Sequence, residues 1–180
     1  MKKLIVAALA AFLMIGCSST PQEKSASKLI EMQMLKKKYL KDHVPAGMGI
    51  GVSTDEQIAL DKADQNARVD LAREIDAQTK ALIKNFKEDV NDQVAEHFQT
   101  TSRTVVNTHM RGATLTDVQV ETDENGHFTV YGVMTLDANL VEELIKSLQT
   151  AGQYDDAVAN KIRAAATKAY AELDAEIEKQ

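Results

Sequence analysis

Between Gly51 and Gly112 the sequence contains neither glycine nor proline. Such a run lacks the two residues that most readily end a helix. Within it Leu60, Ala63, Ala67, Leu71, Ile75, Leu82, Phe86, Val90, Val94 and Phe98 recur at helical spacing, with steps skewed toward four. At 3.6 residues per turn, each step of four rotates the stripe by about 40°. From Leu60 to Phe98 it therefore migrates to nearly the opposite face, and one straight helix could not bury all of it against one sheet. A helix unbroken from Thr54 to Gln99 would also measure roughly 70 Å, against a radius of gyration near 15 Å for a compact domain of this size. Either the helix breaks or it projects, and a break is placed near Asn85 to Asp92, where NFKEDVND gathers poor helix formers. The second half would then pack separately or on a partner chain.

The flanking segments define the rest of the fold. Met48 to Ser53 (MGIGVS) reads as a short strand, and Ser53 or Thr54 is placed to cap the long helix, with Glu56 or Gln57 in its first turn. Ala113 to Thr122 and His127 to Leu136 read as two strands joined by Asp123-Glu124-Asn125-Gly126, a hairpin signal because Asn and Gly both tolerate positive φ. Thr100 to Arg111, rich in Thr and Val, is either a further strand or the frayed helix end. Asp137 caps a helix over Ala138 to Gln149, closed by Gly152. A last helix from about Asp155 carries a narrow seam of Val158, Ile162, Ala166, Ala169, Leu173 and Ile177. Its acidic C-terminal end (Glu172, Asp174, Glu176, Glu178) opposes the helix dipole and should fray unless a partner covers it. The fold class is α+β: short strand, long helix with the expected break, antiparallel β-hairpin, helix, and an extra C-terminal helix.

The N-terminus bears on location. Lys2 and Lys3 precede an apolar run from Leu4 to Ile15, then Gly16-Cys17. This is the pattern of a cleavable export signal, and about a dozen apolar residues are too few to span a bilayer core. Leu13-Met14-Ile15-Gly16-Cys17 resembles the bacterial lipobox, with Met14 where Leu is usual. Cys17 is the only cysteine in the chain, so no intramolecular disulfide can form, and acylation would remove a reactive thiol from an exported protein. Residues 1–16 are accordingly read as a lipoprotein signal peptide, Cys17 as the lipidation site, and 17–27 as a flexible lipidated tether, its SSTPQEKSAS being small and polar. By resemblance to lipoproteins of two-membraned bacteria, Ser18 rather than Asp after the cysteine directs the protein to the outer membrane, with the face left open.

The formal net charge is −6, and removing Lys2 and Lys3 with the signal takes away two positive charges to leave −8. An acidic domain is a poor partner for nucleic acid or for an anionic membrane face. One basic cluster interrupts it: Lys36, Lys37, Lys38 and Lys41 lie on a short helix over Leu29 to Leu40. A solvated face is the plain reading of this cluster, and contact with lipid phosphates beside the anchor is the alternative.

Gly49-Ile50-Gly51-Val52-Ser53, then Ala59, Ala63, Ala67-Arg68, Leu71-Ala72 and Ile75, then the hairpin at Asn125-Gly126, resemble the LPP20 family of bacterial lipoproteins over about Gly47 to Leu148. The domain assignment becomes 28–152 for an LPP20-like α+β unit and 153–180 for a C-terminal helix outside the resemblance. The resemblance implies a structural or adhesive role on the outer membrane. Members and relatives of this family occur among flagellar-motor accessory proteins that form rings or discs. It implies no enzyme activity.

Residues for catalysis are not set out. His43, His97, His109 and His127 are scattered, without a two-histidine helical pair of zinc-site spacing or an H-E-x-x-H motif. Gly47, Gly49 and Gly51 alternate, but a dinucleotide fingerprint would need glycine at Val52. Asp61, Asp64, Asp70, Glu74 and Glu88 fall on polar helix faces, where solvation is the default account. No catalytic, cofactor or metal residue is assigned, and no cofactor is expected. The leading expectation is a structural lipoprotein that self-associates or joins other envelope proteins. A monomeric binding module or adhesin for a small molecule, polymer or partner comes second, and a hydrolase with an unrecognised site third.

Overall fold

The computed structural model describes residues 21–87, 92–136, 139–150 and 155–177. Its elements are α1 (Pro21–Lys41), β1 (Ala46–Ser53), α2 (Glu56–Lys87), α3 (Asp92–Gly112), β2 (Thr114–Thr122), β3 (Phe128–Thr135), α4 (Leu140–Thr150) and α5 (Asp156–Ile177). The three strands form one antiparallel sheet in the order β1-β3-β2. The protein is thus α+β, with the hairpin, the long helix and the C-terminal helix where the sequence puts them.

Glycine explains how α2 meets the sheet. Gly47, Gly49 and Gly51 alternate along β1 and so share one face. A methyl built on any of them would overlap α2 backbone: Leu71 N and the Ala67 carbonyl for Gly47, the Ala63 carbonyl and Ala67 N for Gly49, the Ala59 carbonyl for Gly51. Ala59, Ala63 and Ala67 are fully buried in this contact. Strand and helix run antiparallel, glycine row on alanine row, as the reversed order of partners shows. Gly49 also pairs with Gly132 of β3, and Leu115 of β2 fills the space above Gly132.

The stripe on α2 does migrate, and the fold uses the migration. Ala67, Leu71 and Ile75 pack with Ala113, Met134 and Leu136 at the sheet. Farther along, Leu82 and Phe86 leave the sheet and enter a second core with Phe98, Val105, Leu144, Leu148, Ile162 and Ala166 of α3, α4 and α5. Phe86 and Phe98 meet with ring centroids 4.6 Å apart. On one straight helix Phe86 and Phe98 would stand about 18 Å apart, so α2 (to Lys87) and α3 (from Asp92) are two separate helices. The second half packs within the chain, through Phe98 and Val105.

Several local expectations need correction. Residues 21–27, read as tether, open α1. Pro21 sits in the first turn, where its missing N–H costs nothing, and Gln22, Glu23, Lys24 and Ala26 are helix formers. The cap of α2 is Asp55, whose Oδ1 accepts from Ile58 N at 3.0 Å, while Ser53 Oγ accepts from Asp55 N. Ser53 is held in the sheet opposite Phe128 and cannot cap. Asn139 caps α4, accepting from Glu142 N at 3.2 Å; Asp137 and Gly152 lie outside the described residues. Asp155 caps α5 through Val158 N.

Thr100 to Arg111 is helical throughout. Thr100, Thr104 and Thr108 donate their hydroxyls to carbonyls four residues back, and buried Ser102 does the same to Phe98 at 2.8 Å. Burial of Phe98 and Val105 in the second core overrides the β preference of Thr and Val. In the hairpin only Gly126 has positive φ, 79°. Gly126 N donates to the Asp123 carbonyl and Asp123 N to the His127 carbonyl, a turn followed by one left-handed glycine. Asp123 Oδ1 accepts from Asn125 N and His127 N, at 2.9 and 2.8 Å.

Candidate functional site

Cys17, the lipidation site expected from sequence, lies outside the described residues. The element that follows it, α1, covers the sheet face opposite α2. Met32 is buried there with Ala46, Tyr131 and Val133, flanked by Leu29, Leu35, Tyr39 and Leu40. Polar bonds fix it at both ends. Lys28 Nζ lies 3.4 Å from Glu121 Oε1, and Tyr39 Oη donates to Asp117 Oδ2 at 3.0 Å, which pushes the Tyr39 pKa up. Of the basic cluster, Lys36 is therefore not on a solvated face: its Nζ is 2.6 Å from Asp70 Oδ2.

Asp70 belongs to a row that closes the outer edge of β1. Asp70 Oδ2 also accepts from Met48 N at 2.9 Å, Asn66 Nδ2 donates to the Ile50 carbonyl at 2.7 Å, and Lys62 Nζ donates to the Val52 carbonyl at 2.8 Å. Lys62, Asn66 and Asp70 follow one another at steps of four beside the alanine row, so one helix both covers the glycine face and occupies hydrogen-bonding groups of the strand edge. An edge strand left bare is a template for pairing. Glu74, one turn on, has its pKa raised chiefly by burial, against the lowering effects of Lys36 and Gln78. Neither Asp70 nor Glu74 is the solvated carboxylate expected from sequence. Asp64 contacts Arg68, Asp61 contacts Gln57, and Glu88 lies outside the described residues.

The other sheet edge is β2. Val118 and Val120 face the α2 side but lie beyond its cover, 44% and 39% exposed. With Asp55, Glu56, Gln57, Leu60 and Val130 they line an open groove of about 490 Å³.

Arg68 was quoted above only for the resemblance, and its structural role was not legible. Its guanidinium donates to the Met110 carbonyl at 2.7 Å and the Ala113 carbonyl at 2.9 Å. A fixed positive charge thus satisfies carbonyls at the C-terminus of α3, where the helix dipole favours it.

His43 occupies the left-handed position (φ 58°) just past α1. His43 N donates to the Leu40 carbonyl and Val44 N to the Tyr39 carbonyl, a Schellman arrangement that usually takes glycine. Its ring stacks on Tyr170 at 4.3 Å, and Nε2 is 3.2 Å from Asp174 Oδ2. Lys84 Nζ lies 3.3 Å from Glu172 Oε2. Glu172 and Asp174 of the acidic end are therefore met from within the chain, by Lys84 of α2 and by His43 just past α1, where sequence alone expected fraying or an external cover; the side chain of Glu176 and all of Glu178 lie outside the described residues. His127 contacts Asp123 at 3.2 Å; the side chains of His97 and His109 are outside the description.

Among the described residues, no group of three or more His, Cys, Asp or Glu could hold a metal ion. No described helix is long and apolar enough to cross a membrane. The chain matches no family model, no characterised protein and no solved structure with which it was compared.

Proposed function

We propose that this chain is a lipid-anchored structural protein of the bacterial outer membrane, of the LPP20 type, which assembles with copies of itself or with other envelope proteins. The observation that carries the reading is Leu13-Met14-Ile15-Gly16-Cys17 standing four residues ahead of a folded domain that opens with Pro21. Supporting it, β2 is the other edge strand of the sheet, where Lys28 Nζ donates to the Val120 carbonyl at 3.3 Å, while at β1 three α2 side chains take edge groups, so β2 is the less occupied side for strand pairing. A flagellar-motor accessory role is one form the assembly takes in this reading. The test is labelling with radioactive palmitate in a two-membraned bacterium, comparing the wild type with Cys17→Ala. Label in the wild-type band alone supports anchoring; label in neither, or in both, removes it. Light scattering on the detergent-extracted protein then reads assembly: a defined oligomer supports it and a monomer at every concentration opposes it.

The groove between the α2 N-terminus and Val118 and Val120 favours a second reading, a module that binds an extended apolar ligand. That reading requires thermal stabilisation by the ligand.

A further inference from the structure

The outward face of α1 carries large apolar side chains next to outward-facing lysines. Leu29, Met32, Leu35, Tyr39 and Leu40 turn toward the sheet. On the opposite side of the helix, Ile30 is 53% exposed and Met34 68% exposed, the latter the highest value among the large exposed hydrophobics of the described residues. Lys37 and Lys41 continue the same ridge at steps of three and four, with exposed Lys38 beside it. Lys28 and Lys36 are held by Glu121 and Asp70, but Lys37, Lys38 and Lys41 meet no carboxylate among the described residues. Glu31 is the one acid between Ile30 and Lys41.

Chain length says what lies close to this ridge. Four peptide steps separate Cys17 from Pro21 and reach at most about 14 Å fully extended. With residues 21–27 helical, no longer spacer intervenes. An acyl group on Cys17 would hold the start of α1 within that distance of the lipid headgroups.

We infer that α1 lies along an anionic membrane surface, with Ile30 and Met34 at the acyl boundary and Lys37, Lys38 and Lys41 on lipid phosphates. This rests on the anchoring reading given above. An amphipathic helix in an interface has this division of labour: apolar side chains dip below the headgroups while lysine stems run up to the phosphates. The sheet then lies parallel to the bilayer, with α2 on its far side and the β2 edge turned sideways, free to meet a neighbour.

The test uses the full lipidated chain in vesicles of phosphatidylethanolamine and phosphatidylglycerol. Thioether formation consumes the Cys17 thiol, so Met34→Cys takes a single environment-sensitive fluorophore, and Val69→Cys, 52% exposed on α2, serves as the far-side control. The expected result is a blue-shifted probe at Met34, quenched several-fold more strongly by spin-labelled lipid than the probe at Val69. The shift should be lost when Lys37, Lys38 and Lys41 are all changed to Glu. Equal behaviour of the two probes, in protein whose lipidation mass spectrometry confirms, overturns the orientation. If the mass shows an unmodified Cys17, the anchoring reading fails on its own. The Met34 probe in a Cys17→Ala chain added to the same vesicles then decides: a saturable blue shift weakened by salt retains the membrane face, and no shift removes it.

Discussion

Gly49 lies so close to Ala63 that the carbonyl oxygen of the alanine occupies the place a methyl on the glycine would take. Backbone, not a flexible side chain, is the obstacle on both sides of the contact, so the layers must separate to admit one carbon. Gly49→Ala should destabilise the domain by about 3 kcal/mol or more, at the upper end of overpacking costs. Gly112→Ala, with nothing within 4 Å, should be neutral or gain roughly 0.4–1 kcal/mol from reduced unfolded-state freedom. Urea unfolding of the two variants against the wild type tests this, and equal midpoints would contradict the packing described.

Arg68→Ala removes a charged donor from the Met110 and Ala113 carbonyls at once. A loss of about 1.5–3 kcal/mol is expected, the range for hydrogen bonds to charged groups. Lys at this position should recover only part of it, because a single ammonium lacks the planar fork that reaches both carbonyls. Amide exchange should quicken chiefly at the end of α3 and the start of β2, and uniform quickening would indicate general damage instead.

Asp70→Ala should cost roughly 1–3 kcal/mol, since it leaves Met48 N without its partner and Lys36 without its counter-charge. The more specific readout is exchange at the Met48 amide, expected to accelerate beyond that of the β1 amides paired with β3. Unchanged protection at Met48 would show that the edge is closed by something other than Asp70.

Glu74 and Asp123 should give opposite pH dependences. Burial raises the Glu74 pKa, so the folded state holds its proton more tightly than the unfolded chain does. Stability from this group is complete below the ordinary carboxylate pKa and declines as pH rises through the raised value. Glu74→Gln should therefore match wild type in acid and exceed it at neutral pH. Asp123 is lowered first by the backbone hydrogen bond from His127, with further lowering by Asn125. Its contribution is present above the ordinary pKa and lost as pH falls through the lowered one, so Asp123→Ala should approach wild type only in acid. Thermal melts across pH 2 to 8 check both signs.

The order of elements was legible because each rests on local chemistry: the four-spaced stripe for α2, Asn125-Gly126 for the turn, the alanine seam for α5. The migration of the stripe even implied two burial environments. What was not legible depends on register between distant segments. Lys62, Asn66 and Asp70 read as an ordinary polar face until β1 is laid antiparallel along α2, and His43 reads as a loose surface residue until α5 is brought to it. Of the candidate functional residues, Cys17 stands on sequence alone, and the lysines of α1 divide into bound and outward-facing ones only when the sheet beneath them is seen.

The glycine–alanine seam matches two different rulings over a short length. Two strand residues advance about 6.6–6.8 Å while four helix residues advance about 6.0 Å, so the two rulings slip by roughly 0.6–0.8 Å at every repeat, like the scales of a vernier. The helix face meanwhile turns by about 40° per step. Over the two repeats from Gly51 to Gly47 the slip reaches roughly 1.2–1.6 Å, and by Gly47 the contact has already passed from Ala67 to Leu71. The run of three ends with the alanine row, because past Ala67 the helix presents Leu71, whose side chain fills the space over Met134 and Leu136.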